Sequence, residues 1–283
     1  MLDWVKLDQH DKTYNFDFTT NDVVNGLGIE NAIKTVEYIT LKYPPPYNLF
    51  VSGGVDSQAM LYAWHKSLKP FNAISFVYNF DLNREDLICL ELFQKIHGIN
   101  IEYRDFDLFH FLETEHHDYA TRYICGSPQM TPFMKIADTL KPQTCIMSGN
   151  FVNTAGPGIT NNHYGLWHYG KKSNPNFIPF FFLETKELAH SFKHNNYSQK
   201  FEESYDRKVA LYQINGFPVI KQHRKMNGFE KIKEYFDTNS PRKPNPLDRL
   251  VKKPTSFSNR NFDLLYRNKY EVAISNYRYI HKC

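Results

Sequence analysis

Six consecutive residues, Ser52-Gly53-Gly54-Val55-Asp56-Ser57, have the types and order of an anion cradle. Two glycines let backbone approach a ligand closely, and amide N–H groups at a helix start present a positive end to negative charge. The hydroxyls of Ser52 and Ser57 add donors, and Asp56 can hold Mg²⁺ or a bound water. No glycine-lysine-serine/threonine follows at the spacing of a Walker loop. Ser148-Gly149-Asn150 is a second glycine turn, followed by Asn153. Asn150 and Asn153 are candidates to face a ligand, against the plainer reading of a polar loop.

These residues need a scaffold, and the flanking sequence supplies one. Leu49-Phe50-Val51 is a short apolar run of the kind found in buried parallel strands, and residues 58–64 continue as a helix. Upstream, Asn31 is placed to cap a helix running to about residue 41, and Pro44-Pro45-Pro46 ends it. Downstream come a strand at 72–79, a helix at 84–97 that Asn83 can cap, and a stop at Gly98. A strand at 99–103 follows, then a helix at 108–115, a loop through Ser127-Pro128, a helix at 130–140 and a strand at 144–147. Residues 154–170 fit no regular element and could form a lid. An apolar run at 178–183 precedes helices at 184–193, 203–214 and 229–236. Alternating strands and helices imply a doubly wound parallel α/β sheet. Such a sheet binds its ligand beyond the strand C-termini, where both glycine turns fall.

Composition narrows the class. The chain has 283 residues, 41% hydrophobic and 16% aromatic, enough for a full core. Net charge is +4, but residues 241–283 hold ten Lys/Arg against three Asp/Glu, a local +7 that leaves −3 for the rest. Cys89, Cys125, Cys145 and Cys283 show no CxxC spacing and read as reduced thiols. Neither a signal-peptide core nor a membrane-length apolar run is present, so the sequence is read as that of a soluble, cytoplasmic protein.

The loop SGGVDS looks like the signature of the ATP pyrophosphatases (PP-loop proteins). The pieces that follow it in order, SPQMTPFMKIADTL, CIMSGN, PFFFLETKEL and FPVIKQHRKMNGFEK, resemble the synthetase domain of class B asparagine synthetases and their relatives. The resemblance covers residues 47–236. It implies a Rossmann-like adenine nucleotide α-hydrolase (HUP) fold with C-terminal helices, and three segments: an extension at 1–46, a synthetase-like domain at 47–240, and a basic aromatic tail at 241–283. It further implies an ATP-dependent ligase that forms AMP and pyrophosphate, adenylating a carboxylate or similar oxygen of a small-molecule or peptide substrate for transfer to an amine or ammonia. ATP and Mg²⁺ would be the cofactors. Ser52, Gly53, Gly54, Asp56 and Ser57 would take the pyrophosphate and its Mg²⁺, Val51 and Phe76 the adenine, with Gly149 and Asn150 across the crevice. Lys225 would stabilise the departing pyrophosphate; the plainer reading makes it one of four residues of a solvated basic face in Lys221-Gln222-His223-Arg224-Lys225.

Two departures qualify the resemblance. Residues 1–46 are too few for a glutaminase domain, and Met1-Leu2 lacks a nucleophilic cysteine. The family's acidic loop after the serine-glycine pair reads here Asn150-Phe151-Val152-Asn153-Thr154, without a carboxylate. An amide oxygen can ligate a cation but brings no charge and cannot act as a general base. A binding module without catalysis is therefore one alternative. Another is an adenylating nucleic-acid-modifying enzyme, since the tail alternates cations with Phe257, Phe262, Tyr266, Tyr270, Tyr277 and Tyr279, a composition suited to phosphates and bases, against the plainer and favoured reading of a helical tail that packs its aromatic stripe on the domain and leaves its charges solvated. His116-His117 with Asp118 reads as a loop pair unsuited to joint chelation of zinc. Cys125 reads as a packing residue rather than a nucleophile, and His163 and His168 as exposed residues or substrate contacts.

Overall fold

A computed structural model describes residues 5–8, 13–16, 26–125, 129–149, 161–193, 204–223 and 228–229. The chain opens with a hairpin of β1 (Val5–Asp8) and β2 (Thr13–Phe16), paired antiparallel. Five strands then form one parallel sheet: β3 (Tyr47–Phe50), β4 (Asn72–Tyr78), β5 (Ile101–Phe106), β6 (Thr144–Met147) and β7 (Phe177–Ile178). Their order across the sheet is β5-β4-β3-β6-β7. The fold is α/β and doubly wound, as the alternation of elements predicts.

Strand side chains alternate between two cores, which follows from the two-residue period of a strand. Leu49, Val51, Ala73, Ile146 and Ile178 face one core. It is completed by α1 (Gly28–Lys42), α2 (Val55–Ser67), α3 (Arg84–His97), α8 (Lys186–Lys193) and α9 (Ser204–Ile214). Phe50, Ile74, Phe76, Cys145, Met147 and Phe177 face the other. That side is covered by α4 (Leu108–Thr114), α5 (His116–Tyr123), α6 (Thr131–Thr139) and α7 (Asn161–Lys172). Because both faces are covered, the strands read as continuous apolar runs.

Four local expectations are revised. First, α1 starts at Gly28, and Asn31 is buried inside it, donating to Ser191 Oγ at 2.9 Å. The helix start is satisfied from a distance: Asn215 accepts from Gly28 N at 3.2 Å and from Ile29 N at 2.9 Å. Second, the Asn83 side chain makes no cap at α3. Its amide closes the end of β4, donating to Phe76 O at 2.7 Å and accepting from Tyr78 N at 3.0 Å. Third, His116 opens helix α5, not a loop; it is buried, with Nδ1 2.8 Å from Thr131 Oγ1. Fourth, the C-terminal part of the expected lid is helical, as α7. Asn and Gly lower its helix propensity, and burial of Leu166 and Tyr169 offsets that.

Candidate functional site

Strand order reverses between β3 and β6, with β4 on one flank of β3 and β6 on the other. A crevice opens at such a switch point beyond the strand C-termini. Ser52-Gly53-Gly54 leaves β3 there, and Ser148-Gly149 leaves β6. The two turns meet. Ser57 Oγ lies 3.2 Å from Ser52 Oγ and 3.3 Å from Ser148 Oγ, so three hydroxyls from two strand ends form a row at the start of α2.

The glycines do different work. A Cβ on Gly53 would sit 2.1 Å from Asp86 O, so that position is closed by the backbone of α3. Gly149 adopts φ +71°, and its Cβ would meet the Phe180 ring at 2.2 Å. Gly54, the N-cap of α2, has φ −66° and ψ 145°, open to any residue, and among the described residues its Cβ would touch only Ser52 Oγ at 3.4 Å. Nothing in the packing of the described residues demands glycine at 54. The position borders the cavity, where a missing Cβ lets a ligand reach the backbone.

That cavity encloses about 200 Å³, far more than one water needs. Loop residues Ser52, Gly54, Asp56 and Ser57 line it together with Ser148 and Gly149. One wall is aromatic, with Phe50, Phe76 and Phe133 in mutual contact at 5.5 to 6.3 Å between ring centres. Met130, Met147, Leu166, Phe180 and Phe229 extend this wall. Val51 and Phe76 both line it, at 5% and 6% exposure.

Three polar clamps hold the loop and its neighbours to α9 and the segment after it. The fully buried Gln58 donates to Gly53 O at 2.6 Å and to Ile220 O at 3.1 Å, and accepts from Ile220 N at 2.7 Å. Gln222 donates to Asp86 and accepts from Tyr205 at 3.3 Å. Asp56 accepts from Lys208 Nζ at its Oδ2 and from Tyr212 OH at its Oδ1, both at 2.6 Å. Lys208 and Asp56 side chains are only 9% and 16% exposed. Burial, and then the Asp56 charge, push the Tyr212 phenol well above its usual range, so it stays a donor.

The structure thus brings Val51, Ser52, Gly54, Asp56, Ser57, Phe76 and Gly149 to one crevice, while Gly53 is turned against the α3 backbone. Asn150, Asn153, Thr154, Lys225, the expected helix at 229–236 and the tail at 241–283 with Cys283 lie outside the described residues, Phe229 excepted. Sequence reasoning missed Gln58, Ser148 as a donor, Lys208 and Tyr212. Ser148 was legible, standing in the same turn as Gly149. Lys208 is separated from Asp56 by 152 positions, and no spacing rule reports such a pair.

Other candidates resolve into packing. Cys125 is buried where a Cβ on Gly165 would collide with it. Burial pushes the Cys145 thiol up to about 12 and raises that of Cys89, which disfavours thiolate chemistry at either. Among the described residues, no group of three or more His, Cys, Asp or Glu could hold a metal. Nor is any helix among them long and apolar enough to cross a membrane.

No family model matches the sequence, and no curated protein does. Among solved structures, an NH3-dependent NAD synthetase from Campylobacter jejuni in complex with nitrate ion is similar at TM-score 0.36 and 14% identity. The match covers 87% of this chain and 94% of that one. A glutamine-dependent NAD+ synthetase from Acinetobacter baumannii in complex with ADP is similar at TM-score 0.37 and 12% identity, over 95% of this chain and 50% of the other. Likenesses this distant carry no functional argument; the site itself has to.

Proposed function

We propose that this protein binds ATP at the switch point and acts as an AMP- and pyrophosphate-forming ligase. It would adenylate a carboxylate or similar oxygen and pass it to an amine or ammonia. The observation that supports this reading most is the pairing of opposite chemistries across one cavity. A row of three hydroxyls at the start of α2 suits phosphate oxygens. The aromatic wall of Phe50, Phe76 and Phe133 lining the same cavity suits a flat heterocycle. On this reading Val51 and Phe76 contact the adenine. Ser52, Gly54 and Ser57 hold the β- and γ-phosphates, and Ser148 approaches from the far side.

Chemistry at the α-phosphorus then needs the nucleophilic oxygen in line with the departing pyrophosphate. Donors fixed before reaction stabilise the accumulating charge without reorganising. Lys225 is assigned to the same task, and Gly149 and Asn150 to binding the nucleotide. The test is incubation of the full chain with Mg²⁺, ATP and panels of amino acids, short peptides and amines, measuring AMP, pyrophosphate and ATP–pyrophosphate exchange. Substrate-dependent release of both products is the expected result. Absence of release and exchange together with absence of ATP binding would overturn the proposal.

A second reading has its own support. Asn150, Asn153 and Thr154 replace the acids of the resembling family, and a lysine already occupies Asp56. Saturable ATP binding with no turnover would select a nucleotide-binding module over a ligase.

A further inference from the structure

The resemblance assigns Asp56 to Mg²⁺, and the donor set around it does not fit that ion. Mg²⁺ is held at about 2.0–2.1 Å by carboxylates together with phosphate oxygens. Asp56 Oδ2 already lies 2.6 Å from the Lys208 ammonium. A metal on that oxygen would stand within about 5 Å of a second positive charge in a poorly solvated position. Lone-pair count is not the obstacle, since each carboxylate oxygen accepts twice. The obstacle is charge: one ammonium neutralises one carboxylate. Asp86, the other carboxylate lining the cavity, receives the Gln222 amide.

Resting on the ATP-site reading above, we infer that Lys208 stands in for the divalent cation at this loop. Its ammonium balances Asp56, and an incoming phosphate is held by the loop amides and the serine hydroxyls without a metal on Asp56. Lys208 does not line the cavity, so it acts through Asp56 as a positioning residue. It removes the carboxylate's repulsion of the anion and fixes the start of α2 against α9. Tyr212 holds the other oxygen, so the carboxylate cannot rotate away from Lys208 without losing a buried hydrogen bond.

The experiment titrates the full chain with Mn²⁺, read by the electron paramagnetic resonance of the free ion, and separately with inorganic pyrophosphate by calorimetry in EDTA or in Mg²⁺. Wild type, Lys208→Met and the charge-free pair Asp56→Asn/Lys208→Met are compared. Expected is a wild-type Mn²⁺ affinity within about fivefold of the double variant, against a gain of more than about fivefold in Lys208→Met, where Asp56 is unmasked. Pyrophosphate is expected to bind wild type equally in EDTA and Mg²⁺, and Lys208→Met only with metal. Wild type binding Mn²⁺ more than about fivefold tighter than the double variant overturns the inference, as does a strict metal requirement for pyrophosphate. So does a Lys208→Met variant that folds and gains no Mn²⁺. Should Lys208→Met fail to fold, wild type against the double variant still decides. Pyrophosphate binding under no condition would instead sink the ATP-site reading, while the Mn²⁺ comparison would still decide whether Lys208 occupies the cation position.

Discussion

Gly54→Ala separates what the loop needs to fold from what it needs to bind. Its φ of −66° and ψ of 145° suit alanine, and among the described residues the new Cβ would touch only Ser52 Oγ at 3.4 Å. Two stability effects oppose each other. Alanine caps a helix less well than glycine, by up to about 1 kcal/mol. It also restricts the unfolded chain, which returns about 0.4–1 kcal/mol. The net change should stay within about 1 kcal/mol, a melting shift of no more than about 4 °C for a chain of this size. Binding should respond quite differently. The methyl stands where an anion would approach the amides, and losing one or two charge-assisted hydrogen bonds at about 1.5–3 kcal/mol each weakens affinity by at least tenfold. The assay is thermal melting alongside calorimetric titration with ATP and with pyrophosphate. Gly53→Ala is the control: its Cβ would lie 2.1 Å from Asp86 O, so it should destabilise by at least about 1–3 kcal/mol with no ligand present. Unchanged affinity in Gly54→Ala, or a large loss of its stability, refutes the idea that glycine is there for a ligand.

Three further outcomes follow from buried polar groups. Gln58→Leu should cost at least about 2 kcal/mol in denaturant unfolding, because it strands Gly53 O and Ile220 N–H and leaves Ile220 O only the weak Cys89 thiol donor. Lys208→Ala should cost about 3–5 kcal/mol by leaving Asp56 charged and uncompensated, while Asp56→Asn/Lys208→Met costs less than Lys208→Ala alone; a double variant worse than the single one contradicts this. Asp138 ties α5, α6 and α7 together through Tyr119, Tyr169 and Lys141. Burial opposes its charge, but these three donors outweigh that and hold its carboxyl below its usual 3.8. Its contribution is complete above pH 3.8 and is lost as pH falls through the lower folded-state value. Asp138→Asn should therefore flatten the acid limb of a melting-temperature profile, and an unaltered limb would rule out Asp138 as its source.

The alternation of strands and helices, the position of the loop and the second glycine turn were all readable in sequence, because each depends on local period and turn chemistry. Leu49-Phe50-Val51 is apolar on both faces, and Gly53-Gly54 can only punctuate a strand. What escaped is non-local. Asn31 and Asn83 have the residue type of helix caps, yet both serve tertiary hydrogen bonds, since a buried amide goes to whichever partner the fold brings. His116-Asp118 reads as a polar loop until Ala120 and Tyr123 are seen packed in the core. Lys208 is one lysine in a polar stretch. Only the docking of α9 on α2 makes it the counter-charge of the one acid in the loop.

The Gln58 clamp also sets when the site can exist. Its partner Ile220 lies 162 residues downstream. At about 5–20 residues per second, roughly 8–30 s of ribosomal synthesis separate the two. During that interval the glycine loop has its sequence but no anchor, and Gln58 and Asp56 must be served by water. Closing loops this long is slow on the folding timescale. The glycine loop is therefore clamped from the back of the chain, after the strands that frame it have already emerged.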